Sequence, residues 1–313
     1  MAIDQIGSAM PVVPRWRTLN VVAQDPSVEW DGSVVVAEAR IPYERLDPGP
    51  RGHRFHVVDY DTATRTLHPA VPFVGDVITG AAGEDLAAPQ RRAQNVYAIA
   101  ARTLAAFEEA LGRRVPWSFG SHQLYVLPAA MPEANAFYDP DHQALLFGYV
   151  DVLDDDGEEY RVHTSLSHDI VAHETTHAVL DGMRRRFEEP GLPDQAAFHE
   201  ALADIVALLS VFSLPKVAER LLGRADANGL VDANAVSADV IRESALFGLG
   251  EEFGSVTGRR GDALRRSIRL DPTKERLADH EEPHRRGEFL VASVVSSLLD
   301  MWSARLATLH NRN

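Results

Sequence analysis

Two histidines and a glutamate in one short segment, His173-Glu174-Thr175-Thr176-His177, have the types and spacing to carry chemistry. On a helix, residues four apart share a face, so both imidazoles can reach one metal ion. Glu174, one position on from His173, is offset from the imidazoles and aimed where a metal-activated water would sit, as a general base must be. The chemistry this predicts is metal-assisted hydrolysis, most directly of a peptide bond. A five-residue pattern also arises by chance, and the plain alternative is a helix with two surface or capped histidines.

A catalytic zinc takes three protein ligands and keeps a fourth position open. The chain has no Cys, so there is no disulfide framework and any zinc must be held by His and carboxylate groups. A three-histidine arrangement would need Gly at 180 and His at 183, where the chain has Leu180 and Met183. A carboxylate from a second helix is the other common source, and Phe198-His199-Glu200-Ala201-Leu202-Ala203-Asp204-Ile205 offers one. Glu200 and Asp204 stand at i and i+4 amid Leu202, Ile205, Val206, Leu208 and Leu209, residues that promise burial. Carboxylates in such a stripe are costly unless paired or bound to metal. Glu200 as the third ligand and Asp204 as acceptor of a ligand imidazole N–H would satisfy both. Ordinary surface acids on a partly solvated helix are the alternative.

The elements around these residues fall into two halves. Residues 12–80 read as short β-rich pieces broken by Pro and Gly, as at Pro48-Gly49-Pro50. From Gln90 to Leu111, apolar residues at Val96, Ile99, Ala100, Leu104 and Phe107 recur at helical spacing, with Gly112 as a stop. A strand at Gln123–Leu127 follows, then a hairpin of 134–138 and 144–150 joined through Asp139-Pro140-Asp141. Helical patterns dominate afterwards, around 165–182, 194–212, 237–249 and 287–308. The expectation is an α+β fold, with a β-rich lobe over 1–164, a mostly helical zinc-binding lobe over 165–313, and the site between them.

Bulk composition narrows the partners. With 45% hydrophobic and 25% charged residues the 313-residue chain has ordinary globular composition. Its 31 Lys and Arg against 46 Asp and Glu leave a formal charge of -15, which repels a phosphate backbone, so no nucleic-acid partner is expected. The start, Met1 to Gly7, lacks a basic stretch followed by an apolar run, and no segment reads as the ~20 apolar residues of a membrane helix. No membrane partner is expected, and the default location is cytoplasmic, with non-standard export left open.

The helix pair resembles that of the thermolysin-like zinc metallopeptidases, the gluzincins, with His199 standing where that family has Asn. The resemblance implies a thermolysin-like (zincin) fold, zinc on His173, His177 and Glu200, Glu174 as general base, Asp204 behind a ligand imidazole, and a peptide or protein substrate. Glu133-Ala134-Asn135-Ala136-Phe137-Tyr138 is similar to the family's edge strand, which implies that Asn135 and Ala136 hold the substrate by strand addition. Gly261-Asp262-Ala263-Leu264-Arg265 resembles the segment carrying a substrate-pocket arginine, implying that role for Arg265, with Arg266 and Arg269 as competitors. Glu282-Pro283-His284-Arg285-Arg286-Gly287 falls where the family has a transition-state-stabilising His at a helix entrance, which implies that role for His284. The similar segments run from about 133 to 290. The H-E-T-T-H-A and E-P-H-x-R-G motifs bring the chain closer still to uncharacterised bacterial gluzincin-like proteins.

Three departures shape the expectations. Arg186-Phe187-Glu188 stands where the family has an oxyanion-binding Tyr, so one electrophilic partner is missing. Asp169 matches the first member of the family's calcium cluster, but the matching later acid is replaced by Val211, which speaks against structural calcium and leaves Asp169 as a helix first-turn acid favoured by the dipole. The acidic run from Asp154 to Glu159 puts Val152 at the first position of a calcium loop and reads as a solvated loop. The stretch after His284 is shorter than the family's C-terminal lobe, so the expected lobe is minimal or truncated. The rival expectation is a zinc-bearing interaction module that has lost turnover, and a third is a protein without metal whose motif is accidental.

Overall fold

The computed structural model describes residues 14–26, 29–30, 33–81, 83–153, 157, 159–184, 191–222, 240, 267, 270–271 and 273–310. Arg265, Arg266 and Arg269, the Arg186-Phe187-Glu188 segment, residues 154–156 and 158, and all of 237–249 except Val240 lie outside them.

The chain is mixed α+β. Alternating burial builds β1 (Trp16–Val22) and β4 (Val36–Pro42), paired antiparallel with Leu19 opposite Ala39. Two short ladders, β2 (Glu29–Trp30) with β3 (Ser33–Val34) and β6 (Tyr60–Asp61) with β7 (Thr66–Leu67), flank the main elements. The central sheet runs β11-β10-β8-β5, from β5 (Phe55–Val57), β8 (Leu124–Met131), β10 (Ala144–Leu153) and β11 (Glu159–His163), with β9 (Ala136–Asp139) also on β10. β5, β8 and β10 are parallel neighbours, whereas β9 and β11 share the other side of β10 and run antiparallel to it. Register shifts between Leu146 and Gly148. There a Cβ would lie 1.9 Å from the Glu133 carbonyl oxygen, so only glycine lets the loop before β9 come this close.

Helix α1 (Pro89–Leu111) buries Val96, Ile99, Ala100 and Leu104 as their spacing predicts, with Pro89 in the first turn and Gly112 ending it. A 3-10 turn at Thr164–Leu166 leads into α2 (His168–Met183), which is buried from His168 to Gly182. Then come α3 (Pro193–Phe212), α4 (Pro215–Leu222) and α5 (Pro283–His310). α5 begins earlier than the apolar pattern from 287, so His284 lies inside its first turn.

Two buried clusters hold these layers. One joins Leu19, Phe55, Tyr97, Leu124 and Phe147 to Val171 and Val179 of α2. The other packs Ala23, Val35 and Ala37 under α3, α4 and α5 through Leu208, Val217, Val291 and Leu299. α3 is 20 residues long and contains an 18-residue stretch of mean hydropathy 1.4, long and apolar enough by length and composition to cross a membrane, which corrects the expectation that no segment is so. Its packing against α2 and α5, with Ala201 and Leu208 in the second cluster, accounts for that apolar character. Helix α5 approaches α3 closely at Gly287, where a Cβ would come within 2.8 Å of the Ala197 carbonyl oxygen.

Candidate metal centre

α2 presents His173 and His177 from one face, each 7% exposed, and α3 brings Glu200 against them. The two Nε2 atoms are 2.9 Å apart, and Glu200 Oε2 is 3.2 Å from the first and 3.6 Å from the second. A tetrahedral zinc with bonds of about 2.0–2.1 Å has ligand-to-ligand edges of about 3.3 Å, close to this triangle. Glu200 Oε2 is buried without an aligned hydrogen-bond partner, although imidazole nitrogens surround it. An orphaned carboxylate oxygen facing two Nε2 atoms suits a shared cation, and a donor set of two imidazoles and one carboxylate suits zinc.

The groups behind the triangle orient it. His173 Nδ1 donates to Asp204 Oδ1 at 2.8 Å, which turns its Nε2 towards Glu200. His177 Nδ1 is 2.7 Å from His199 Nδ1, with the two rings stacked 2° from parallel. Burial, followed by the charge of His177, pushes His199 down to about 3, so it is neutral and its Nδ1 lone pair can accept the His177 N–H. The sequence marks His199 only as a replacement for Asn. Its place beside Glu200 was the one signal of this role.

Charge follows the same partners. Burial opposes a cation at His173, but Asp204 and Glu200 outweigh it, pushing its pKa up to about 10. Burial alone would raise Glu200, yet His173 and His177 hold it well below the usual carboxylate range.

Glu174 is 1% exposed and its Oε2 accepts the Tyr138 amide N–H of β9 at 3.1 Å. Tyr138 is fixed in turn, its hydroxyl 2.9 Å from Asp181 Oδ2 and 3.1 Å from Ser118 Oγ. β9, which begins at Ala136 directly after Asn135, therefore borders the centre. Asn135 Oδ1 accepts the Ala136 N–H at 3.0 Å, and the Asn135 carbonyl accepts the Gly148 N–H at 2.8 Å. Nothing in the sequence singled out the Tyr138 amide, because a backbone donor has no residue type.

His284 reaches the centre from α5, its Nδ1 3.3 Å from Glu200 Oε2, and its side chain is 37% exposed. The Glu282 carboxylate accepts the amides of His284 and Arg285, which fixes the start of that helix.

Asp169 corrects an expectation. It does occupy the first turn of α2, but burial, reinforced by Asp25, pushes it up to about 7, so the dipole does not dominate there. Neither a family model nor a curated protein matches the chain.

Proposed function

We propose that this protein is a zinc-dependent metallopeptidase of the thermolysin-like, gluzincin type, with zinc on His173, His177 and Glu200. The observation that carries this reading is the convergence of those three donors beside a buried Glu174 that is anchored to a strand edge. When bound, zinc would acidify a water and polarise the scissile carbonyl. Glu174 takes the proton from the attacking water and passes it to the leaving amine, and the Tyr138 amide keeps its carboxylate aimed during the transfer. Asp204 and His199 hold the ligand imidazoles in the tautomer that leaves both Nε2 lone pairs facing inward. His284, at the more exposed side of the centre, is placed to donate to the developing oxyanion. An extended peptide would lie along the Asn135–Ala136 edge.

One observation favours a second reading, a zinc-bearing interaction module with little turnover. The amides of Ala136 and Tyr138 are already engaged, by Asn135 Oδ1 and by Glu174. A substrate strand must then supply the donors itself. Cleavage of a peptide library separates the two. Chelator-sensitive cleavage that Glu174→Gln lowers about 10²–10⁴-fold, with metal retained, supports the peptidase. Cleavage that survives Glu174→Gln contradicts the mechanism, and none in the zinc-loaded wild type supports the module.

A further inference from the structure

α1, α3 and the β1/β4 ladder border an open cavity of about 780 Å³ that none of the metal-centre residues lines. Val206, Leu209, Ser210 and Ser213 line it from the side of α3 turned away from Glu200 and Asp204 at 3.6 residues per turn. The wall is largely apolar, with Ala106, Phe107 and Ala110 of α1 facing Val206 and Leu209. Leu209 is 42% exposed, so among the described residues this apolar surface is left partly open.

Three guanidinium groups, from Arg15, Arg40 and Arg102, line the same cavity against one carboxylate, Glu109. None of the three forms an ion pair among the described residues. In a chain of formal charge -15, this local cationic surface runs against the whole. Arg102 is held rigidly, with Nη1 donating to the carbonyl and Oγ of Ser210, both at 3.0 Å, and Nη2 to Ser213 Oγ at 2.8 Å. Burial pushes its pKa down, the mark of a desolvated cation. The C-terminal dipole of α3 explains why an arginine sits at Ser210. It does not explain Arg15 and Arg40, which come from the strand side with their Cζ atoms 5.6 Å and 4.7 Å from the Trp16 ring.

We propose that this cavity binds an apolar-bodied monoanion, a medium-chain carboxylate, with its head on Arg102 and Arg40 and its chain along the α1–α3 wall. The volume lies in the small-molecule range, and the complementarity is that of one anionic head to a cationic rim beside an apolar wall. The proposal is independent of the metal centre.

Calorimetric titration of the full chain with decanoate, decanol and decyltrimethylammonium tests it. Decanoate is expected to bind about tenfold or more tightly than decanol, and decyltrimethylammonium more weakly than either. Arg40→Gln, at an exposed position, is expected to weaken decanoate about tenfold and leave decanol unchanged. Val206→Trp and, from the facing helix, Ala106→Trp each obstruct the apolar wall on which the chain would lie and are expected to weaken both decanoate and decanol at least about tenfold, so a folding defect in one does not decide the result. Equal affinity for decanoate and decanol, no binding of decanoate, or decanoate binding that ignores both tryptophans, as attachment at the metal centre would, overturns the proposal. Tighter binding of a Glu-rich decapeptide than of decanoate also overturns it, since the surface would then be a protein contact.

Discussion

Helix α2 treats its buried charges in opposite ways at its two ends of interest. In the first turn, His168 is fully buried between the Val22 carbonyl and Ser210 Oγ, and burial pushes it down to about 3. Its neighbour Asp169 is pushed up to about 7. Both groups shed charge. Five residues on, His173 is also buried, yet the carboxylates Asp204 and Glu200 push it up to about 10. Burial is common to the two regions, so the charged neighbours decide: Arg102 near His168 and Asp25 near Asp169 carry the sign that favours discharge, while carboxylates from α3 keep charge in place at His173. The first turn is a packed join between α2 and the β1 end, and the middle is where the proposed metal site lies.

That contrast can be broken at either region. The larger effect belongs to Asp169, whose folded pKa is raised, so the folded state keeps a proton that the unfolded state releases. Stability tied to this proton is full below about pH 4, declines as pH rises, and is lost above about pH 7. The gap is worth up to about 4 kcal/mol for a fully buried group. Asp169→Asn is therefore expected to stabilise the chain at pH 8 by a substantial part of that and to do little at pH 4, read from urea midpoints at the two pH values. An equal effect at both would mean that Asp169 is not held protonated. The smaller effect belongs to Asp204: Asp204→Ala is expected to weaken zinc about 10–100-fold in competition with a chromophoric chelator. Unchanged affinity would remove the carboxylate partner from the explanation of His173.

How far the sequence carried depended on whether a role lives in a side chain at fixed spacing. His173, His177, Glu200 and Asp204 were legible because two i, i+4 pairs on apolar helices leave buried polar groups that need a common partner. α1 was legible from its apolar period and Gly112. His199 was visible only as an odd residue, since its stacking on His177 depends on how α3 sits across α2. The Tyr138 amide could not be read at all, because it depends on which edge of β10 receives β9. The cavity between α1 and α3 was equally hidden: Arg15, Arg40 and Arg102 are far apart in sequence and meet only through tertiary packing. Asp169 was misjudged because the dipole argument assumes a solvated turn, and Asp25 and the β1 end bury this one.

The claim beneath all of this is that α2 and α3 together make one zinc site, and metal content tests it most directly. Elemental analysis of the purified wild type beside Glu200→Ala, after equilibration with limiting zinc, is expected to give stoichiometric zinc in the wild type. Most of it should be lost from the variant, because two imidazoles alone leave the zinc short of a protein ligand. A wild type that takes up no zinc, or a Glu200→Ala variant that holds as much as the wild type, would contradict the account.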